Sequence, residues 1–167
     1  MGRVARVHKR LPPNDGVIQP RASTFRFSEL NAADLIIDAV YQGGTLGHSG
    51  DDPLQKLLGV GIGGGFRYLG SQSSSAGVRL CVLYSTLVDP DWPDALYPET
   101  GHFVYFGDNR RPGRGLDDTK RKGNQLLARV FAALRLSERK GIPPFLIFTK
   151  VGAGRDVAFR GLAVNGG

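Results

Sequence analysis

Glycine occupies 24 of the 167 positions and proline another 10. Usual glycine content is about 7%, so the backbone here is interrupted at close intervals. Each interior glycine costs a helix roughly 1 kcal/mol relative to alanine, and each proline about 3. Long helices are therefore excluded over most of the chain, which must be built from short strands, turns and loops. The length of 167 residues suits one domain, or one with a small appendage. A domain of that size buries roughly 70% of its unfolded surface and needs no covalent staples.

Within this frame the segments separate by period. Residues 1–24 are basic, proline-rich and aperiodic, and read as a basic arm, partly ordered against the rest. Residues 25–167 form the domain. Asn31 followed by Asp34 predicts a helix start, with Leu35, Ile36, Ala39 and Val40 on one face, and residues 31–41 read as a short helix or a helix leading into a strand. Residues 42–65 read as a loop. Residues 66–70 read as a strand, 71–77 as a turn, and 78–86, VRLCVLYST, as the clearest strand of the chain. A proline-rich acidic loop over 89–101 leads to a strand over 102–106. A long basic loop over 107–122 then precedes the best helix, 123–140, whose stripe includes Leu126, Leu127, Val130 and Phe131 and which Gly141 stops. Two more strands follow, at 144–151 and 157–164. This order predicts an α+β fold, a β-barrel or sandwich with attached helices.

Composition narrows the function. No run approaches the roughly 18 apolar residues of a membrane span, and MGRVARVHKRLPPNDG has no apolar core of a secretory signal. The expectation is a cytoplasmic protein with no membrane partner. A single cysteine, Cys81, excludes an internal disulfide and a cysteine-built zinc site. The three histidines, His8, His48 and His102, have no metal-ligand spacing, and no cofactor or metal is expected. Neither a nucleophile elbow nor a Walker loop is present. Gly59, Gly61 and Gly64 have a dinucleotide-like spacing, but a strand follows them where a helix should. Glu138 and Lys140 have the spacing of metal-dependent nucleases, but on a helix end, where solvated charges are the simpler reading. No catalytic set emerges. The net charge is +7, from 22 Lys and Arg against 15 Asp and Glu. An excess of that sign points to a polyanionic partner, most simply nucleic acid.

The charge is unevenly placed around the strand at 102–106. The loop before it carries Asp89, Asp91, Asp94, Glu99 and the single tryptophan, Trp92. The loop after it carries Arg110, Arg111, Arg114, Lys120, Arg121 and Lys122. Arginines suit phosphates and base edges. An aromatic face beside a carboxylate suits an extruded base, the ring stacking and the carboxylate accepting an exocyclic amino hydrogen. A tryptophan covering the end of the sheet beside solvated carboxylates fits the same spacing.

Several stretches carry a resemblance: LIIDAVYQGG, DDPLQKLLGVG, GGFRYLG, DPDWPDALYPETGHFVYFGDNRRPGR and FRGLAV. From about Asp34 to Gly161 the chain resembles the N-terminal domain of AspBHI/MspJI-type modification-dependent restriction endonucleases. That domain is similar in turn to the SRA (SET- and RING-associated) fold. The resemblance implies an SRA-like (PUA-superfamily) curved β-barrel with flanking helices, which flips 5-methylcytosine out of duplex DNA. GHFVYFGDNR is similar to the SRA segment that supplies an aromatic partner of the flipped base, which implies that role for Tyr105. Trp92 and Asp94 are implied as the second aromatic and the base-reading carboxylate. Their spacing is one residue short of the SRA pattern, so Asp91 and Tyr97 stay open as alternatives. Arg67, Arg110, Arg111, Arg114, Lys120, Arg121, Lys122 and Asn124 are the implied DNA-binding residues, and Gly61, Gly63 and Gly64 the loop that backs the pocket.

The implied function is recognition of double-stranded DNA containing modified cytosine in bacterial defence. The chain itself is expected to be no enzyme, its nuclease domain lying in the same or a separate chain. The alternatives are a reader of another modified nucleic acid (5-hydroxymethylcytosine, phosphorothioate DNA or RNA), a nuclease using Glu138 and Lys140, or an interaction module whose charge is incidental.

Overall fold

The runs at 78–86 and 144–151 are apolar at successive positions, and a strand of that kind must be covered on both faces. The structure is a computed structural model that describes residues 3–7, 23–73, 77–109, 113 and 115–165. Its strands are β1 (Arg3–Val7), β2 (Thr24–Phe25), β3 (Val40–Tyr41), β4 (Phe66–Gly70), β5 (Val78–Ser85), β6 (Ala95–Tyr97), β7 (His102–Tyr105), β8 (Phe145–Lys150) and β9 (Val157–Asn165). Its α-helices are α1 (Pro53–Leu58) and α2 (Gly123–Arg135), with short 3-10 turns at Phe27–Ala32 and Ser49–Asp51. The aperiodic residues 3–7 thus form a strand, paired antiparallel with both β7 and β9.

β5 and β8 lie side by side and parallel, from Cys81 opposite Phe145 to Ser85 opposite Thr149. Parallel neighbours need a long crossover, and here it contains β6, β7 and α2. Alternate residues feed two cores. Cys81, Leu83, Phe145 and Ile147 pack with Leu126, Leu127 and Val130 of α2. Val82, Leu146 and Phe148 pack on the opposite face with Leu30, Tyr41, Leu54 and Phe159.

The sheet runs β4-β5-β8-β9-β1-β7-β6, with β3 and β2 branching from β9. Phe66 of β4 and Phe103 and Tyr105 of β7 reach the same cluster as α2, so the sheet curls around that helix. Among the described residues no ladder joins β4 to β6. The fold is therefore mixed α+β, as expected, and its sheet is curled but not closed into the expected curved β-barrel among the described residues. The apolar stripe of α2 occupies the concave side that direct closure would need. A register shift beside Ile147 and Phe148, opposite Gly161 at φ +123°, adds curvature.

Three local expectations change. Residues 31–41 are not a helix. The 3-10 turn ends at Ala32, and the chain is then tied to β9 by the Asp38 N–H donating to the Phe159 carbonyl at 2.7 Å. The Ile36 N–H donates to the Tyr41 hydroxyl at 2.8 Å. Tertiary bonds override the helical period there, and Leu35, Ile36 and Ile37 are left exposed. The expected loop over 42–65 contains α1. Asp52 caps it, accepting from the Leu54 and Gln55 N–H groups, Pro53 takes its first position, and Gly59 leaves it at φ +69°. α2 stops at Arg135, before the expected Lys140. Ser137 adopts φ +59°, and the Ser137 and Glu138 N–H groups donate back to the Leu134 and Ala133 carbonyls, which closes the helix in a Schellman motif.

Candidate nucleic-acid interface

The segment 102–106 alternates cleanly. Phe103 and Tyr105 face the α2 core, while Val104 and Phe106 face outward across the β6–β7 pair. On that outer side lies a cleft of about 590 Å³ lined by Leu87, Val88, Asp89, Pro90, Pro93, Asp94, Ala95, Tyr97, Val104 and Phe106. Its size falls in the usual range for ligand sites. Asp94 is 5% exposed and accepts the Phe106 N–H at 2.8 Å. Tyr97 and Phe106 remain 50% and 42% exposed beside it, and Val88 and the two prolines supply apolar wall. The cleft thus combines a buried carboxylate, two accessible aromatic rings and apolar surface.

The implied pocket residues divide. Asp94 lines this cleft, as does the alternative aromatic Tyr97. Asp91 is exposed and outside the lining. Trp92 is half-buried and donates its indole N–H to the Asn109 carbonyl at 2.5 Å, pinning the acidic loop to the basic one. Tyr105 is 3% exposed and stacks against Phe103, with ring centres 6.1 Å apart. It belongs to the core, because odd-numbered residues of β7 face inward. Phe106 was missed, although the alternation of 102–106 with two neighbouring core aromatics places it outward.

Of the implied DNA-binding residues, Arg110, Arg111 and Arg114 lie outside the described residues. Lys120 and Lys122 are exposed. Arg121 donates to the Ile62 carbonyl at 2.8 Å, so the basic loop and the glycine loop 59–65 meet. A Cβ on Gly61 would sit 2.9 Å from the Arg121 guanidinium, so the two loops are in close contact there. Gly63 and Gly64 take φ +79° and +77° and are exposed.

Two residues expected on the DNA face are buried instead. Arg67 is 4% exposed. It pairs with Asp52 at 2.7 Å and donates to the Gly64 carbonyl at 3.1 Å. The turn after α1 carries the chain back so that Arg67 reaches Asp52 at the start of that helix, and a buried guanidinium needs such a partner. Asn124 is 4% exposed. It accepts the Asp108 N–H at 2.9 Å and donates to the Leu116 carbonyl at 2.6 Å, tying the start and the middle of the basic loop to α2.

These loops share one end of the molecule. Asp108 accepts the N–H of Gly123 at 3.0 Å, and a Cβ on Gly123 would lie 2.6 Å from the Phe66 ring, at the start of β4. The Tyr84 N–H donates to the Gly65 carbonyl at 2.7 Å, so the glycine loop sits at the end of β5, from which the cleft wall at 87–90 continues. Lys150, at the end of β8, and Arg155, in the β8–β9 connection, line a second groove with Gly63 and Gly64.

Glu138 and Lys140 are exposed beyond α2, not on a strand. Cys81 is buried in the α2 core, and burial pushes its thiol up to about 12. Among the described residues no three His, Cys, Asp or Glu side chains converge as a metal site, and no helix is long and apolar enough to cross a membrane.

The sequence profile of the family described as "Restriction endonuclease AspBHI N-terminal" matches residues 35–167. No curated protein shows a significant match. Among solved structures, the chain is similar to "DNA modification-dependent restriction endonuclease AspBHI", with 48% identity and a TM-score of 0.79 over 86% of this chain and 66% of that one. It is also similar to "DNA recognition domain of the cytosine modification-dependent restriction endonuclease LpnPI", with 41% identity and a TM-score of 0.80 over 87% of this chain and 66% of that one. The chain thus spans 66% of the length of each of these relatives.

Proposed function

The chain belongs to the AspBHI N-terminal family of restriction endonucleases, and on that premise we propose that it binds duplex DNA containing modified cytosine, by taking the extruded base into the cleft over Asp94. The observation that carries the reading is the cleft itself: a carboxylate 5% exposed in one lining with two rings about half exposed, at the end of the molecule where the basic loop emerges. The curled sheet then serves as an SRA-like scaffold, and the nuclease lies in another part of the protein or in a separate chain.

Each part of the site has a physical task. Lys120, Lys122 and the basic loop supply sequence-independent affinity by displacing counterions from phosphates. Extruding the base costs a few kcal/mol, which stacking offsets at about 1–3 kcal/mol per base. Tyr97 and Phe106 are the rings placed for it, with Trp92 holding the loop that carries Asp94. The Asp94 carboxylate accepts from the cytosine amino group, and the apolar wall receives the 5-methyl group. One methyl in an apolar pocket is worth roughly 1–3 kcal/mol, so about tenfold to 200-fold preference is expected.

Fluorescence anisotropy with matched duplexes, plain and carrying 5-methylcytosine, at two salt concentrations tests this. The expected result is at least tenfold preference for the modified duplex, lost in Asp94→Asn. Asparagine keeps an oxygen for the Phe106 N–H but removes the charge that strengthens a hydrogen bond from the base's amino group. Equal, salt-sensitive binding of both duplexes by the native protein would refute the modified-base reading and leave a general DNA-binding domain.

A further inference from the structure

The glycine loop has cations on both sides. Arg121 meets it at Gly61 and Ile62. On the other side Gly63 and Gly64 line a groove of about 280 Å³ together with Tyr84, Lys150 and Arg155, and the Arg67–Asp52 pair lies within it. Resting on the reading above, we propose that this second groove grips the sugar–phosphate backbone of the same duplex, through Lys150 and Arg155.

Charge decides the class of ligand. Arg67 is neutralised by Asp52 at 2.7 Å, so the groove's net positive charge comes from Lys150 and Arg155. Among the described residues neither lies within ion-pair distance of a carboxylate. The neighbouring Asp156 is turned away to accept the Gly43 N–H at 2.9 Å. Lys150 donates to the Gly152 carbonyl, an uncharged partner, at 2.7 Å. Paired cations without counter-charges suit phosphate oxygens.

The groove is also preorganised for close backbone approach. The Val151 N–H donates to the Asp156 carbonyl at 3.0 Å, closing the β8–β9 connection. A Cβ on Gly43 would lie 2.5 Å from the Arg155 Cβ, so the 42–44 segment packs directly against Arg155 and fixes its origin. Opposite, a Cβ on Gly63 would meet nothing within 4 Å, so that wall is open to a ligand. Groups that position a duplex without reading it sit well in such a place.

The test is the salt dependence of duplex binding by the full chain. The variants are Lys150→Ala/Arg155→Ala, the charge-keeping Lys150→Arg/Arg155→Lys, and Asp94→Asn, with thermal unfolding as a check on folding. The alanine pair is expected to lower the slope of log Kobs against log salt by about 1 per cation removed. It should weaken modified and plain duplexes to the same degree and leave the preference between them intact, while the charge-keeping pair retains the native slope. An unchanged slope in a folded alanine pair overturns the proposal, as does a loss confined to the modified duplex. If Asp94→Asn abolishes the preference while the alanine pair keeps the native slope, the groove fails and the cleft reading stands. If the native chain binds no duplex at all, both fail.

Discussion

Arg67 separates a scaffolding role from a DNA contact with one substitution. Its guanidinium donates to both oxygens of Asp52, at 2.7 and 2.8 Å, and to the Gly64 carbonyl at 3.1 Å, with the two side chains 5% and 8% exposed. Arg67→Met keeps the apolar stem and removes the charge, leaving the Asp52 carboxylate buried without its counterion. Breaking a buried pair in this way costs about 3–5 kcal/mol. The low end applies here, because Asp52 still accepts the Leu54 and Gln55 N–H groups at 3.0 Å. A loss of about 3 kcal/mol lowers Tm by roughly 6–12 °C in a domain of this size. Arg67→Met/Asp52→Asn should recover most of that. Asparagine is as good a helix cap as aspartate and strands no charge, so the two substitutions couple strongly. Circular dichroism melts of the four proteins of the cycle give the answer. An Arg67→Met protein that melts at the native temperature and binds DNA more weakly would refute the scaffolding role and return Arg67 to the DNA face.

Gly123→Ala should destabilise the fold by about 1–2 kcal/mol in urea unfolding. The new Cβ would lie 2.6 Å from the ring of the fully buried Phe66, and overpacking outweighs the gain in helix propensity. Asn124→Ala should cost about 1–3 kcal/mol, because it strands the Asp108 N–H and the Leu116 carbonyl that Asn124 now satisfies. Faster amide exchange over 107–122 than in α2 would mark the loosened loop. Burial pushes the Cys81 thiol from 9.0 up to about 12. The unfolded thiol therefore ionises first, and stability falls as pH rises from about 9 to 12, by at most about 1.4 kcal/mol per pH unit from this group. Comparing the pH slopes of native and Cys81→Ala proteins isolates that share. With magnesium and methylated plasmid, the chain should produce no cleavage, and Glu138→Gln should leave that unchanged.

The interior strands were legible because their residues leave little choice. Val78 to Ser85 and Phe145 to Lys150 are too apolar, and too rich in β-branched and aromatic residues, to be anything but covered strands. α2 was legible from Leu126, Leu127 and Val130, but its end was not. Ser137 closes it in a left-handed conformation that serine rarely adopts, while the obvious stop, Gly141, lies further on. α1 had a readable signature in Asp52, Pro53 and Gly59, hidden inside a stretch dominated by glycine. Leu35 and Ile36 show the reverse failure. Their helical spacing is real, but bonds from Asp38 to Phe159 and from Ile36 to Tyr41, distant or local, hold that stretch open.

The site divides along the same line. Charge and residue type singled out three loops, the acidic, basic and glycine segments, and the fold brings these to one end. Which side chain faces the ligand is a matter of strand parity and of partners far along the chain. Parity was available in the sequence: once Phe103 faces the core, Tyr105 must follow it, and Phe106 must face out beside Asp94. The partners were not. Nothing near Arg67 in sequence announces that Asp52 will neutralise it, and nothing near Asn124 announces Asp108 and Leu116. Both look like DNA-binding residues until the fold brings their acceptors to them. The converse holds for Lys150 and Arg155. Lys150 ends β8 and Arg155 stands in the turn after it, ordinary places for solvated charge, and what sets them apart is that Gly63 and Gly64, from a distant part of the chain, line the same groove.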